Sequence, residues 1–436
     1  MRVLLQHRRA SGFIENLLDR ALAQTPLPPA DRGLCLELTY GAVRWERTLD
    51  WLIERKTQGR TQKAALQLLL QLGLYQMFWL GRIPDHAAVH ETVDLARKLG
   101  FGPQSGFVNA ILRAYGRERA ATEALLEQLK TSDPALGHSH PDFLTTRWEA
   151  RWGRPETIRL LEWDNSPPPT FARRNSLKID SNTLSEIWAA EGVQVLPQRY
   201  DWAEEGLVFQ LLSHPPLASL PSFQQGFFYL QDPSTLLAVH QLDPQPGEKI
   251  LDLCAAPGGK STFIAQLMQN QGHLLAQDND PVRLDRLREN CLRLGVTCLD
   301  ASLWPEAPAA GAVPLFDRIL VDAPCSNTGV LRRRVEARWR FQAAELHRLA
   351  KAQVELLAAA ALLLRPGGLL VYSTCSLEPE ENAGVLANFL SAHPRFTLES
   401  QRELWPFRDG VDGAFVARLR SSGSGSTMPR PSVKLT

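Results

Sequence analysis

The spacing of apolar side chains changes along this chain, at about residue 227. Over residues 1–130, apolar positions recur every three or four residues, which is typical of amphipathic helices. Beyond residue 227, short apolar runs that predict strands alternate with stretches of helical periodicity. Such alternation is typical of a doubly wound, mainly parallel sheet. We therefore predict a multidomain protein with an all-α N-terminal domain and a C-terminal α/β domain.

The N-terminal pattern separates into helices whose ends are marked by proline, glycine or a capping acid. The predicted helices cover residues 9–23, 31–43, 61–80, 86–99 and 106–119. Their arginines form either a basic face for a nucleic acid or ordinary solvated positions, and the pattern favours neither. These arginines are Arg44, Arg47, Arg97, Arg113 and Arg117.

A smaller α/β unit is predicted next, after a transition that ends in the prolines at 167–169. It has a strand over 170–179, a helix over 181–191 and a strand over 193–196. Its basic side chains are candidates either for phosphate contacts or for surface ion pairs. They are Arg173, Arg174, Lys178 and Arg199.

The C-terminal pattern alternates regularly, and ligands of such sheets bind beyond the carboxyl ends of the strands. The predicted strands cover 249–253, 273–277, 296–299, 319–321, 369–373 and 413–420, and the helices cover 262–268, 280–294, 343–364 and 378–390. The Ser/Gly-rich tail, residues 421–436, has the composition of a disordered segment.

Two of these strands end in a cysteine. The stretch DRILVDAPCSNTGVLRRR, which begins at Asp317, carries Asp322 and Cys325 after its strand, and LLVYSTCS carries Cys375 after another. A single cysteine is more often a small buried apolar residue than a nucleophile. Two thiols and an acid at neighbouring strand ends, followed by arginines that bind phosphates well, suggest covalent chemistry on a nucleic acid.

Composition limits the alternatives. The 436 residues are 44% hydrophobic and 22% charged, as in a globular protein, and the net charge of +1 neither supports nor excludes RNA binding. The apolar run 356–364 is far too short to cross a membrane, and the first residues lack the apolar core of a signal peptide. Six cysteines without a CxxC pair indicate no zinc site and no disulfide framework. We expect a metal-free monomer in the reducing cytoplasm.

A glycine turn, CAAPGGKS, follows the first strand of the α/β domain. Its backbone amides and the start of the next helix suit a negatively charged ligand group, although a GxGxxG fingerprint is absent. Asp278 ends the second predicted strand, where ribose hydroxyls are bound in this architecture. Asp300 follows the third and either contacts an adenine edge or caps a structural element.

Taken together, LDLCAAPGGKS, LLAQDND, VDAPCSNTGVLRRR and YSTCSLEPEEN resemble the motifs of the RNA cytosine-5 methyltransferases. The whole chain is similar to the bacterial RsmB (Sun/Fmu) group, which methylates 16S ribosomal RNA, and DRGLCLELTYGAVRWERTLDWLI resembles its NusB-like module. The resemblance implies a NusB-like helical domain over 1–135, a linker and small α/β RNA-binding subdomain over 136–226, and a Rossmann-like methyltransferase domain over 227–420.

The resemblance also implies S-adenosylmethionine as cofactor. The positions that match its binding motifs are Cys254, Ala255, Ala256, Pro257, Gly258, Gly259, Lys260, Asp278, Asp300 and Asp322. Carbon 5 of cytosine is a poor nucleophile, and a thiolate that adds to C6 makes it reactive toward the methyl group. By the family pattern Cys375 is this nucleophile and Cys325 assists product release, while Asp322 bonds the base. The residues alone do not decide between the thiols, since DNA cytosine-5 methyltransferases attack with the Pro-Cys thiol.

The target base leaves its stack to reach such a pocket, and the following basic segment is expected to bind the flanking RNA backbone. The expected RNA contacts are Arg332, Arg333, Arg334 and Trp339. Many relatives carry a His-Pro-Asp turn here, where this chain has Arg334-Val335-Glu336. The departure concerns the shape of the loop and not the chemistry.

Other functions stay open at this point. The same chemistry on another RNA, such as transfer RNA, is the main alternative, and a non-catalytic RNA-binding assembly factor is another. Such a factor needs neither Cys325 nor Cys375. An amino- or oxygen-directed methyltransferase would need a different motif, such as NPPY, in place of DAPC.

Overall fold

A helix that is apolar on every side, Ala64–Trp79, lies at the centre of the N-terminal part of the chain. Such a helix is stable only when neighbours surround it, and here it packs in a core that includes Leu49, Leu69 and Tyr115. The computed structural model describes residues 1–9, 13–25, 27–304 and 315–422. It divides the chain into two compact units, residues 1–167 with 331–341 and residues 168–330 with 342–436.

The first unit is helical, as the sequence predicts. Its described helices are Arg2–His7, Ile14–Gln24, Pro29–Arg44, Glu46–Thr57, Ala64–Trp79, Asp85–Lys98, Ser105–Arg117, Arg119–Ser132, Pro134–Gly137, Asp142–Trp152, Arg154–Asn165 and Ala337–Arg340. Residues 119–165, which the sequence analysis left largely unassigned, extend the bundle. Among the described residues, no helix combines the length and apolar character needed to span a bilayer.

The second unit contains a small antiparallel sheet with strand order β2-β3-β1-β4. The strands are β1 (Thr170–Arg174), β2 (Gln194–Tyr200), β3 (Ala203–Ser213) and β4 (Phe228–Leu230). Helix Ser181–Ala190 packs Trp188 against this sheet. Its N-cap is Asp180, whose carboxylate accepts from the amides of Asn182 and Thr183.

The same unit holds a seven-stranded sheet with order β10-β11-β9-β8-β5-β6-β7. The strands are β5 (Lys249–Leu253), β6 (His273–Asp278), β7 (Leu299–Leu303), β8 (Phe316–Asp322), β9 (Leu364–Thr374), β10 (Phe396–Leu404) and β11 (Ala414–Ser421). Strands β5 to β9 pair in parallel and β10 and β11 antiparallel. The unit's described helices are Ser181–Ala190, Pro221–Gln224, Leu236–Leu242, Gly259–Leu267, Pro281–Leu294, Ala343–Leu363, Ala383–Ala392 and Pro406–Asp409.

The small sheet is attached to the larger one through buried polar side chains. Arg173 is 1% exposed and donates to the Gly259 carbonyl at 2.7 Å and to Thr262 Oγ1 at 3.0 Å. The Asn175 amide donates to the carbonyls of Gly226 and Leu294, both at 2.8 Å. Because burial holds Arg173 inside the unit, neither of the two roles considered for it, a phosphate contact or a surface ion pair, fits its position.

The other basic candidates of this sheet have partners within the protein. Arg174 donates to the carbonyls of Gly206 and Ile179, and Lys178 donates to those of Gln225 and Arg293. Arg199, on the solvent side, pairs with Glu205. Ser421, which was assigned to the tail, instead ends β11. The remainder of the predicted tail, residues 423–436, lies outside the described residues.

Candidate active site at the carboxyl edge of the sheet

Four neighbouring strands bring the predicted site residues to one edge. In the order β9-β8-β5-β6, the strands pair in parallel, so their carboxyl ends lie side by side. Cys375 follows β9, Asp322 ends β8, the turn 254–260 follows β5 and Asp278 ends β6. The sequence placed each of these residues at a strand end, and the sheet order brings those ends together.

The two cysteines form a thiol pair. Cys325 Sγ and Cys375 Sγ are 3.2 Å apart, and the Cys375 thiol also donates to Asn327 Oδ1 at 3.4 Å. The hydrogen bond with Cys375, followed by burial and by the charges of Cys375 and Glu381, raises the pKa of Cys325 well above its ordinary value. Cys325 is therefore held as a protonated thiol beside the second sulfur atom.

A partly buried lysine lies beside this pair. Lys260 Nζ is 2.6 Å from Asp322 Oδ2, and Ser373 Oγ donates to Asp322 Oδ1 at 2.7 Å. Burial lowers the pKa of Lys260, but the charge and hydrogen bond of Asp322, with smaller contributions from Asp252 and Cys375, outweigh it and raise the pKa overall. Lys260 is thus a fixed positive charge next to the reactive sulfur atoms, a setting that favours thiolate chemistry.

The glycine turn is fixed by the acid at the end of β6. Asp278 accepts from the amides of Ala256 and Asp280, both at 3.1 Å, and pairs with Arg283 at 3.3 Å. Gly258 directly precedes helix Gly259–Leu267. Its φ angle of +101° is one that residues with a side chain rarely adopt, so the turn requires glycine at this position. Burial raises the pKa of Cys254 in this turn to about 12, which makes Cys254 a poor nucleophile.

The turn is also surrounded by carboxyl groups that suit a positively charged ligand. Asp252, fully buried in β5, accepts from Ser261 Oγ at 2.6 Å, while its Oδ1 has no partner among the described residues. Burial, with contributions from Asp322 and Asp278, raises the pKa of Asp252 to about 7. Three acids close enough to influence one another, with one lysine among them, fit a sulfonium cofactor, and the turn supplies the amides for its polar end.

Asp300 lies within strand β7, away from the strand ends that carry the other predicted site residues. It was expected to follow the third strand, but β7 runs over Leu299–Leu303 and Asp300 is its second residue, opposite Leu275 of β6. Leu303 lies opposite Asp278 at the site edge, so Asp300 is about 10 Å back along the strand at about 3.3 Å per residue. Its exposed carboxylate pairs with His273 at 3.0 Å. The prediction that Asp300 binds the cofactor stays a prediction.

The expected RNA-contact segment belongs to the helical unit. Arg332 is 2% exposed and its guanidinium stacks on Trp163 at 3.9 Å, whereas Arg333 and Arg334 are half-buried. Trp339, also half-buried, donates its indole N–H to the Val43 carbonyl at 2.7 Å. These contacts are internal, and RNA contact by the more exposed members of the segment stays a prediction.

Sequence reasoning missed a carboxylate that connects the two cysteine turns. Glu381 is fully buried and accepts from Ser326, which follows Cys325, and from Ser376, which follows Cys375. The only sign of this residue in the sequence is the acidic run EPEEN after Cys375. Such a hydrophilic run ordinarily indicates an exposed loop. No group of three or more His, Cys, Asp or Glu side chains within the described ranges is arranged to hold a metal.

Comparison with known families accounts for most of the chain. The NusB family matches residues 1–117, the ferredoxin-like domain of the RsmF/B-like methyltransferases matches residues 140–211, and the 16S rRNA methyltransferase RsmB/F family matches residues 239–420. These matches confirm the predicted fold class, with a NusB domain, a small ferredoxin-like domain and a Rossmann-like methyltransferase domain.

Curated relatives match over nearly their full length. A probable ribosomal RNA small subunit methyltransferase B of Synechocystis is 36% identical over 96% of this chain and 98% of that protein. The ribosomal RNA small subunit methyltransferase B of Pectobacterium carotovorum is 36% identical over 94% of this chain and 97% of that protein. The resemblance read from the motifs is confirmed.

Solved structures share the fold. The protein PH0851 superposes with a TM-score of 0.77 over 96% of both chains at 24% identity. A methyltransferase homolog protein from Pyrococcus horikoshii is 32% identical, with a TM-score of 0.57 over 67% of this chain and 98% of that one.

Proposed function

We propose, since this chain belongs to the 16S rRNA methyltransferase RsmB/F family, that it methylates carbon 5 of a cytosine in 16S ribosomal RNA. The observation that carries the proposal is the Cys325–Cys375 thiol pair, 3.2 Å between sulfur atoms, beside the Lys260–Asp322 ion pair. The cofactor is S-adenosylmethionine, which supplies an electrophilic methyl group when bound.

The thiol pair supports carbon-directed chemistry. In the proposed reaction the Cys375 sulfur bonds to C6 of the cytosine, which makes C5 nucleophilic enough to accept the methyl group. Methyl transfer leaves S-adenosylhomocysteine. Transfer of the C5 proton to a base then breaks the sulfur–C6 bond, which frees the methylated cytosine and returns Cys375 as a thiolate. The raised pKa of Cys325 supports assigning attack to Cys375 and assistance in product release to Cys325.

Asp322 and Lys260 support the binding of the base. Ser373 and Lys260 each donate to a different oxygen of Asp322, and each carboxylate oxygen can accept a further hydrogen bond. We assign that capacity to the amino group of the cytosine. A fixed ion pair at this point also stabilises charge that develops on the ring during attack.

The remaining site residues are assigned to the cofactor. The turn 254–260 and Asp278 would hold its polar groups, and the carboxylate of Asp322 would offset its positive charge. Asp300, which the family motifs also match to the cofactor, stays a predicted contact. The free thiols are maintained in a reducing compartment, and we place the reaction in the cytoplasm.

The substrate assignment rests on the relatives that are named ribosomal RNA small subunit methyltransferase B and on the NusB match. Transfer RNA is the alternative substrate that the test must include. A non-catalytic assembly factor would gain nothing from two adjacent sulfur atoms on two half-buried turns, so the thiol pair argues against it.

The decisive experiment compares Cys375→Ala with Cys325→Ala in the full-length protein. Each is incubated with S-adenosylmethionine and deproteinised 16S rRNA, and separately with transfer RNA. We expect Cys325→Ala to accumulate a protein–RNA adduct on a denaturing gel, because its product release is impaired, and Cys375→Ala to form none. Bisulfite sequencing of RNA treated with the wild-type protein should show methylcytosine in 16S rRNA only.

Cys298→Ser, which removes a thiol outside the site, is the matched control and should behave as the wild type. An adduct with Cys375→Ala and none with Cys325→Ala would reverse the assignment of the thiols. Methylation of transfer RNA instead of 16S rRNA would show that transfer RNA is the substrate. Methylation of neither RNA would contradict the proposed enzymatic activity.

A further inference from the structure

We infer that Glu381 is a positioning residue that holds the Cys325 and Cys375 turns at the separation the reaction requires. The inference rests on the proposed function, because that function assigns both thiols to one cytosine. Glu381 itself contacts neither sulfur atom through a hydrogen bond. It acts through the serines that follow the two cysteines.

The contacts of the carboxylate are divided between the turns. Glu381 Oε1 accepts from the amide of Ser326 at 2.9 Å, and Oε2 accepts from Ser326 Oγ and from Ser376 Oγ, each at 2.5 Å. One buried group therefore fixes the residue after each catalytic thiol. The strands β8 and β9 bring the two turns near each other, and the carboxylate sets the orientation of the turns relative to one another.

Neighbouring side chains hold Glu381 in turn. Gln353 donates to Glu381 Oε1 at 3.0 Å and, through the same nitrogen, to the Pro324 carbonyl at 2.8 Å, so helix Ala343–Leu363 braces the Pro-Cys turn as well. Tyr372 Oη donates to the Glu381 carbonyl at 2.6 Å. Asn382 accepts from Thr374 Oγ1 at 2.7 Å and donates to the Ser376 carbonyl at 2.9 Å. Several independent hydrogen bonds therefore hold Glu381 and the two turns in place.

The position requires a group that only accepts. Its oxygens meet an amide, two hydroxyls and a glutamine nitrogen, and an ionised carboxylate satisfies all of them. A glutamine at this position would bring its own NH₂ against one of these donors and leave a buried group unpaired. The carboxylate has an electrostatic effect too, because its charge is one cause of the raised pKa of Cys325.

The test is Glu381→Gln in the full-length protein, with Glu380→Gln as the matched control that removes the same charge one residue earlier. With saturating 16S rRNA, we expect kcat to fall on the order of 100-fold, since small displacements of reacting groups have effects of that size. The KM for S-adenosylmethionine should be unchanged, because the cofactor residues are untouched. Circular dichroism and thermal melting establish that the variant is folded.

A second readout does not need RNA. The rate at which iodoacetamide alkylates Cys325, followed by mass spectrometry across a pH series, reports the ionisation of that thiol. We expect the profile of Glu381→Gln to move to lower pH, because a negative charge near Cys325 has been removed, whereas Glu380→Gln keeps the wild-type profile. A role confined to fold stability would not move this profile.

A double-mutant cycle keeps the inference testable if Glu381→Gln folds poorly. Ser376→Ala removes one donor with little change of volume and should lower kcat by about tenfold, and adding it to Glu381→Gln should have little further effect. Wild-type kcat in Glu381→Gln or in Ser376→Ala would overturn the inference. Absence of methylation by the wild type, with the alkylation profiles still as expected, would instead contradict the proposed function and leave the positioning geometry standing.

Discussion

The most unusual single residue of the sheet is Asp252, a carboxyl group that β5 carries into the interior. It is fully buried with one hydrogen-bond donor, Ser261, and an oxygen without a partner among the described residues. A charged group in such surroundings is expensive, so the group keeps its proton instead. The site therefore contains an acid that is neutral or charged depending on pH near neutrality.

This arrangement predicts a pH-dependent stability. The folded protein holds the Asp252 proton up to about pH 7, whereas the ordinary pKa is 3.8, so its contribution to the free energy of unfolding is present at low pH and is lost as pH rises through 7. In urea unfolding without cofactor, the wild type should lose about 2 to 3 kcal/mol relative to Asp252→Asn between pH 5 and 8. If the stabilities of the wild type and Asp252→Asn changed equally with pH, the raised pKa of Asp252 would be contradicted.

Asp300→Asn is the control for that comparison. It removes a carboxyl group that is 77% exposed on the same sheet and leaves Asp252 in place. The variant should therefore keep the wild-type change in stability between pH 5 and 8.

At the scale of elements, the segment 331–341 follows the Cys325 turn in the chain but is packed in the helical unit. Val335 and Arg338 are fully buried, and Glu336 Oε1 accepts from the Ile14 amide at 3.0 Å. Arg338 donates to Asn165 Oδ1 at 2.9 Å and to the carbonyls of Ser139 and Asp164, each at 3.2 Å. The helical unit is therefore completed by residues distant in the sequence.

Removing the Arg338 guanidinium should destabilise that unit. Arg338→Met leaves the buried acceptors of the guanidinium unpaired, so we expect the free energy of unfolding to fall by about 3 kcal/mol or more. Arg340→Met, a half-exposed arginine on the same short helix, is the control and should change it by less than about 1 kcal/mol. Thermal melts and hydrogen exchange of the helices over residues 1–167 measure both. Equal effects of the two substitutions would argue against a structural role for the segment.

The elements that the sequence predicted well are those with a clear period and a marked end. Strands β5, β6, β8 and β9 each contain a short apolar run, and Asp or Cys ends or directly follows each strand. Helix 281–294 ends at Gly295, which is in the left-handed conformation. Strand β10 escaped prediction because its residues are mostly exposed at the sheet edge and lack an apolar run. The limits of β7 were wrong because pairing with β6, rather than the apolar residues at 296–299, sets its register.

Site residues followed the same rule. The candidate reactive groups directly after strands lie at one edge of the sheet, as expected, because sheet geometry alone brings the ends of parallel strands together. Arg173 was misjudged because an arginine in a short strand is ordinarily exposed, whereas β1 is an interior strand of its sheet and is covered on both faces. Glu381 was missed because its importance depends on two turns that meet only in the folded protein.

At the scale of the whole molecule, the surface carries little net charge, +1 for 436 residues. RNA binding must therefore depend on local arginine-rich patches rather than on a generally positive surface. Among the described residues, the most exposed large apolar side chains are Leu292, Val282, Leu362 and Leu212. Val282 and Leu292 lie on helix Pro281–Leu294, Leu362 on helix Ala343–Leu363 and Leu212 on strand β3. Exposed apolar residues scattered singly are normal for a monomer.

We accordingly expect the free protein to be a monomer. Light scattering coupled to gel filtration at micromolar concentration should give a mass near the 48.7 kDa of one chain, unchanged on dilution, because dispersed apolar residues do not provide the roughly 800 Å² per partner that a stable interface buries. A mass twice as large would contradict this. In that case Leu292→Ser and Leu212→Ser, on different elements, would identify the surface involved by restoring the monomer mass.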